Sequence, residues 1–443
     1  MELNDTIVSL CSGALKSAIA LIRISGKDAI LITNKLFTNK KEHLHQHVYY
    51  GYIEDENEKI DQVMASFYYG PNSFTGEDVV EITCHGSMLI VNNIISTYIK
   101  HGARMATNGE FSSRAFINGK IDLVSAEAIN DLINATSKQA TSLALSGVEG
   151  KTSKFVEELA DNLLDIISHI EVNIDYPEYD DVEQLTHDTI LPMINALLSR
   201  LDKIINDTRK GQIIKNGIDT VIIGKPNVGK SSLLNALIKE DKAIVTDIAG
   251  TTRDIVEGTI NLDGITLNLI DTAGIRKSDD YIEKIGIDKS LKSLEKAKLV
   301  LLVLDGSKGL EEEDYELLEK TKNYQRIIIL NKTDKGNMLD IDDSIKISAI
   351  NKDILELENK IKEKFKDFTY NNEPILFNAR QEGLLLQAKQ SLESAKIQAM
   401  QGQVVDIISI DIKQAYKSIM EILGKVNKEN LLDNIFSKFC LGK

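Results

Sequence analysis

Along residues 215–367, short apolar runs alternate with stretches of helical periodicity. Residues 219–223, 266–271, 299–305, 326–331 and 345–348 read as strands, with 232–238 reading as a helix between the first two. The run 299–305 is apolar almost throughout, as expected of a central parallel strand buried on both faces. Strand and helix in alternation predict a parallel sheet with helices on both faces. The flanking segments differ. Phe155, Val156, Leu159, Leu163, Leu164, Ile167 and Ile170 recur at spacings of three and four, as do Ile190, Met193, Ile194, Leu197, Leu198, Leu201, Ile204 and Ile205, which predicts long amphipathic helices. The segment 176–181, with Pro177 and its acidic residues, breaks them, and 376–443 reads as helical again. Residues 1–118 mix apparent strands at 18–24, 62–69 and 79–84 with a helix at 88–100, an α+β pattern. The boundaries expected are 1–118, 119–213, 214–370 and 371–443. The order suggests a nucleotide-type domain inserted into a helical one.

Composition narrows the class. The 443 residues suggest about two to four domains. No run approaches the roughly 18 apolar residues of a membrane span, and the start of the chain has no basic, signal-like stretch, so no membrane association and a cytoplasmic location are expected. Cys11, Cys84 and Cys440 are far apart, which argues against a disulfide framework or a zinc site. His85 has no second ligand at zinc spacing and reads as a packed or hydrogen-bonded residue. A net charge of −15 argues against tight, unaided nucleic-acid binding; a partner could supply the basic surface.

The chemistry is concentrated in 224–232, Gly-Lys-Pro-Asn-Val-Gly-Lys-Ser-Ser. This fits G-x-x-x-x-G-K-S/T between a strand and a helix, a turn whose backbone N–H groups from Asn227 and Val228 through Gly229 to Ser232 can converge on phosphate. Lys230 would neutralise the outer phosphates and Ser231 would hold Mg²⁺. A chance match is possible for one motif, but others follow in order. Asp271-Thr272-Ala273-Gly274 ends a strand, where Asp271 can reach Mg²⁺ through water and the Gly274 N–H can sense the γ-phosphate. Thr251 and Thr252 lie where a switch segment belongs. Asn331-Lys332-Thr333-Asp334 follows a strand, and a carboxylate at Asp334 can accept from both N1–H and the 2-amino group of guanine. Ser348-Ala349 would back the guanine O6. Together these point to GTP. Ile275 stands where Ras-like enzymes carry a water-orienting Gln, so either hydrolysis is slow or another group does that work, with Glu283 the nearest polar candidate against its alternative as an ordinary surface glutamate.

The stretch 245–254, Val-Thr-Asp-Ile-Ala-Gly-Thr-Thr-Arg-Asp, and the run 271–276 resemble bacterial GTPases that work on tRNA and ribosomes. The segments 76–81, Gly-Glu-Asp-Val-Val-Glu, and 109–123, together with the terminal Phe439-Cys440-Leu441-Gly442-Lys443, narrow the resemblance to the MnmE (TrmE) family of tRNA modification GTPases. The resemblance implies a multidomain α/β protein: an N-terminal α+β tetrahydrofolate-binding and dimerising domain, a discontinuous all-helical domain, and an inserted Ras-like P-loop GTPase domain. It implies a homodimer that joins MnmG, two plus two, and modifies carbon 5 of the wobble uridine of certain tRNAs. The one-carbon donor would be 5,10-methylenetetrahydrofolate or 5-formyltetrahydrofolate, with FAD and NADH supplied through the partner. By position it assigns K⁺ to Asn227, Thr246, Ile248 and Thr251, Mg²⁺ to Ser231 and Thr252, and catalysis to Glu283 with Arg276 and Asp271. It also assigns folate contacts to Arg23, Glu81, Lys120 and Lys443, and a part in the modification to Cys440. Residues 9–18 replace the family's Pro- and Gly-rich run, and Asn108 replaces its Pro, both beside the folate region.

Two other readings remain. A ribosome-assembly GTPase would carry a KH-like module with a GXXG loop or a second phosphate loop; after residue 370 the glycines are Gly383, Gly402, Gly424 and Gly442, none at that spacing, and no second phosphate loop occurs. A septin-like, GTP-switched scaffold would not need the folate-like motifs.

Overall fold

The computed structural model describes residues 5–175, 187–239, 243–244, 256–262, 264–270, 294–368, 370–371 and 373–426, together with 436, 439 and 442. The chain divides into two compact units, one of Met1–Ile133, Leu145–Ser199 and Leu384–Lys443, the other of Asn134–Ala144 and Arg200–Gly383.

In the first unit, strands β1 (Ile7–Leu10), β2 (Ile19–Ser25), β3 (His47–Asp55), β4 (Glu58–Tyr68), β5 (Val79–His85) and β6 (Arg104–Met105) form a six-stranded sheet in the order β3-β4-β5-β2-β1-β6. Alternation explains its sidedness. Ile22, Ile24, Ala65, Phe67, Val80 and Ile82 turn inward and pack with Ile32 and Leu36 of α1 (Ala29–Leu36) and Val91, Ile94 and Tyr98 of α2 (Met88–Lys100). Register places Val48, Tyr50, Met64, Thr83, Glu81, Leu21 and Arg23 on the opposite face. Helices α3 (Glu110–Ile117) and α4 (Leu123–Asn134) follow, then α5 (Lys138–Val148), α6 (Lys151–Asp175) and α7 (His187–Asn216), of which α5 and α7 have residues in both units. Near the C-terminus come α11 (Ala379–Met400) and α12 (Val405–Ile422); α6 packs along α12. The apolar stripe of α6 departs from expectation at Leu164, which is 42% exposed, while Ile166 faces inward in its place. The break expected at 176–181 lies outside the described residues.

The second unit contains β7 (Ile218–Ile223), α8 (Lys230–Lys239), β8 (Ala243–Ile244), β9 (Val256–Leu262), β10 (Ile265–Ile270), β11 (Leu299–Asp305), α9 (Glu312–Lys320), β12 (Arg326–Asn331), β13 (Ser344–Lys346) and α10 (Leu355–Lys364). Its sheet runs β13-β12-β11-β7-β10-β9-β8. Strands β13 to β10 are parallel, but β9 is antiparallel to both its neighbours. The parallel sheet expected from the alternation is present from β13 to β10, and the antiparallel edge strand β9 is an addition that the sequence did not lead us to expect. A hairpin makes β9 antiparallel to β10: Gly264 has φ +98°, and its N–H donates to Asn261 Oδ1. Strand β11 buries residues on both faces. Leu301 and Val303 pack with Leu233 and Leu357, whereas Val300, Leu302 and Leu304 pack with Leu317.

Candidate functional site

Strand β7 ends against β11. A Cβ on Gly224 would stand 2.3 Å from the Val303 carbonyl oxygen, so the turn can approach β11 this closely through glycine alone. Asn227 has φ +62° and Gly229 φ +101°, and a Cβ on Gly229 would stand 2.1 Å from Asn331 Nδ2. The chain then enters α8 at Lys230. The Lys230 ammonium curls back, donating to the carbonyls of Gly224 at 2.9 Å and Lys225 at 2.6 Å.

The ends of β12 and β13 grip this loop. Asn331, 2% exposed, donates from Nδ2 to the Val228 carbonyl at 2.9 Å and accepts the Ala349 N–H at Oδ1 at 3.0 Å. Lys332, itself at φ +67°, donates to the Asn227 carbonyl at 2.6 Å and to Asp305 Oδ2 at 2.7 Å. Burial alone would raise the Asp305 pKa; Lys332 and Ser307 outweigh it and hold the carboxyl below the ordinary range. Ser348 Oγ donates to Asp334 Oδ1 at 2.7 Å. Lys225 reaches Asp314 Oδ2 at 2.7 Å and Glu311 Oε2 at 2.9 Å. Burial disfavours its charge, yet the two carboxylates carry its pKa above the ordinary lysine value. A cavity of about 310 Å³ lies beside these groups, lined in part by Asn227, Asp305 and Lys332. A glycine-bearing turn, a helix N-terminus and Lys230 at one point form a place for a polyphosphate. The structure thus brings together Asn227, Val228, Gly229, Lys230, Ser231 and Ser232 with Asn331, Lys332, Asp334, Ser348 and Ala349. Thr246, Ile248, Thr251, Thr252, Asp271, Gly274, Arg276 and Glu283 lie outside the described residues.

A second cluster lies in the first unit. Arg23 and Glu81 are paired across β2 and β5, the guanidinium NH2 at 2.8 Å from Oε1. The Arg23 guanidinium also stands over the rings of Phe74 at 5.1 Å and Phe111 at 5.5 Å. Lys120 packs against Gly76, in the loop that carries Phe74, and its ammonium donates to the Pro71 carbonyl at 2.9 Å. Gly442 comes close to the end of β1. Its carbonyl accepts from Cys11 Sγ at 3.0 Å, and a Cβ there would stand 2.3 Å from the Leu10 carbonyl oxygen. Phe436 and Phe439 are buried with Phe116 and Leu123. Cys440 and Lys443 are outside the described residues.

Comparison with known proteins settles the family. Residues 6–120 match the family described as GTP-binding protein TrmE N-terminus, and residues 123–440 match the MnmE helical domain. The chain is 44% identical over 452 aligned positions to the tRNA modification GTPase MnmE of Mycoplasma mycoides, covering 100% of both chains. It is 43% identical over 454 positions to that of Lactobacillus delbrueckii, covering 99% of this chain and 98% of the relative. It is 41% identical over 455 positions to that of Bacillus thuringiensis, covering 99% of each. The chain belongs to the tRNA modification GTPase MnmE family. As a member it is a GTP-hydrolysing enzyme.

The residues of this MnmE-family chain fit the nucleotide. The glycine cradle leaves no room for a Cβ at Gly224 or Gly229, and Lys230 already sits at the loop. Ser231, at the first turn of α8, could hold Mg²⁺, and Asn227 brings an amide suited to K⁺; the other residues expected on either ion are not described. The Arg23–Glu81 pair framed by Phe74 and Phe111 offers charge beside aromatic faces, which suits a pterin-like ring. Sequence reasoning missed Phe74, Asp305, Lys225 and Asp314. Phe74 had a signal, its place two residues before the Gly76 motif. The others are joined across long sequence separations that no local pattern encodes.

Proposed function

We propose that this chain couples GTP hydrolysis to modification of carbon 5 of the wobble uridine, position 34, in certain tRNAs. The one-carbon unit comes from 5,10-methylenetetrahydrofolate or 5-formyltetrahydrofolate. The chain works in the cytoplasm as a homodimer with MnmG, which brings FAD and NADH. The observation that carries this reading is the presence, in one family member, of an assembled phosphate loop and of the Arg23–Glu81 pair framed by Phe74 and Phe111. The outer sheet face supports pairing of two copies. Val48 (62% exposed), Tyr50 (62%) and Met64 (47%) form an apolar stripe on the face that also carries Arg23 and Glu81. The acidic net charge favours a partner as the main source of basic surface for tRNA. Among the described residues, no helix is long and apolar enough to cross a membrane.

In this reading Lys230 neutralises the outer phosphates, Asp334 selects guanine and Ser231 with Thr252 holds Mg²⁺. Asn227, Thr246, Ile248 and Thr251 hold K⁺, which supplies positive charge between the phosphates where other GTPases place an arginine finger. Glu283 positions water in place of the missing Gln. The test is GTP turnover in KCl and in NaCl at equal ionic strength, for the wild type and Asn227→Ala. The reading expects much faster turnover in potassium, rising with protein concentration, with the advantage lost in Asn227→Ala. Equal wild-type rates in the two salts would overturn the potassium assignment.

A further inference from the structure

The two halves of the phosphate loop are held by different groups. The later half, Asn227 to Gly229, is gripped by the Asn331 and Lys332 side chains, which donate to the Val228 and Asn227 carbonyls. The earlier half has an anchor of its own. Lys225 occupies a variable position of G-x-x-x-x-G-K-S, so the motif assigns it nothing. Its side chain is 12% exposed and bonds Asp314, whose side chain is 5% exposed. Asp314 is also the third residue of α9, where its Oδ2 accepts the Glu311 N–H at 2.9 Å in a capping box. One buried carboxylate therefore joins the start of α9 to the Lys225 ammonium, which the more exposed Glu311 Oε2 also accepts at 2.9 Å. The carbonyl of Lys225 is in turn one of the two that Lys230 bonds. The connection runs from α9 through Asp314 and Lys225 to the ammonium that would meet the phosphates.

We propose that Lys225 and Asp314 form a positioning pair that sets the earlier half of the phosphate loop, and with it Lys230, for nucleotide binding. The inference rests on the phosphate-loop reading of 224–232. Lys225 acts through the loop and does not itself touch nucleotide.

The test is the dissociation rate of a fluorescent GDP analogue from the purified full-length chain, together with the melting temperature without nucleotide. Lys225→Met and Asp314→Asn should each speed release about tenfold, within the coupling expected of a partly buried charged pair. The double variant should be no worse than either single one, and Lys225→Arg should stay near wild type. Asp314→Asn should change the melting temperature little, because the asparagine Oδ1 can still accept the Glu311 N–H, whereas Lys225→Met should lower it by leaving a buried carboxylate without its cation. Release within twofold of wild type in both single variants would overturn the proposal. So would slower release in Asp314→Asn, which would mean its charge merely repels the nucleotide, or fully multiplicative effects in the double variant. If Lys225→Met fails to fold, Asp314→Asn carries the test alone. Lys230→Ala serves as the control. If it binds GDP as tightly as wild type, the phosphate-loop reading falls, whatever Lys225 does.

Discussion

Asp334→Asn tests base recognition at a residue whose surroundings the structure defines. Asp334 is exposed, and its Oδ1 accepts from Ser348 Oγ at 2.7 Å. Asparagine can keep that contact through its own Oδ1, so the change is confined to the edge that meets the base. There a carboxylate accepts from guanine N1–H and the 2-amino group, and an amide NH₂ placed against either meets a donor. Each charge-assisted hydrogen bond contributes about 1.5–3 kcal/mol. Asparagine keeps one acceptor and presents a donor in place of the other, so losing one such bond costs about 1.5–3 kcal/mol, or roughly 10- to 10²-fold in affinity. Xanthine carries a 2-oxo group, so the same variant should gain affinity for xanthosine nucleotides. The assay is titration of wild type and Asp334→Asn with fluorescent GDP and XDP analogues. Unchanged affinity for GDP, or a loss with no gain for XDP, would refute the assignment of Asp334 to the base.

Two further predictions concern the first unit. Glu110 is 1% exposed; burial would raise its pKa, but Arg104, the Thr107 N–H and Arg114 outweigh this and lower it from 4.5 to about 2. A depressed carboxylate contributes stability above its unfolded pKa and loses it as pH falls through the folded one, so about 3 kcal/mol should disappear between pH 4.5 and 2. Urea midpoints of the full chain across that window should fall more steeply for wild type than for Glu110→Gln, and parallel curves would contradict the argument. At the other end of the chain, deleting residues 440–443, or changing Gly442 to Ala against the Leu10 carbonyl, should abolish tRNA modification and weaken folate binding while GTP turnover survives. Retained modification would refute a functional tail, and loss of all three with a lower melting temperature would make the tail a folding element.

How much was legible depended on burial. Strands 299–305 and 326–331 were read to the residue because parallel strands covered on both faces are continuous apolar runs. Strand β3 was not read, because His47–Asp55 presents Val48 and Tyr50 on an open face and Tyr49 and Ile53 on the covered one, which erases the alternation. Strand β1 has 4 residues, too few for a period to register. The nucleotide motifs were legible because each is local, a few residues at a strand end. What positions them is not local. Lys225 meets Asp314, Asn331 meets Val228, and Arg114 meets Glu77 and Glu110 through contacts set by the fold.

The central claim is that this GTPase modifies the wobble uridine of tRNA. The most direct test is mass analysis of tRNA nucleosides from cells lacking this gene, complemented with wild type or with Lys230→Ala. The account predicts that the 5-substituted wobble uridine disappears on deletion, returns with wild type and does not return with Lys230→Ala. Unaltered wobble uridine after deletion, with ribosomal subunits out of balance, would contradict it and favour a role in ribosome assembly.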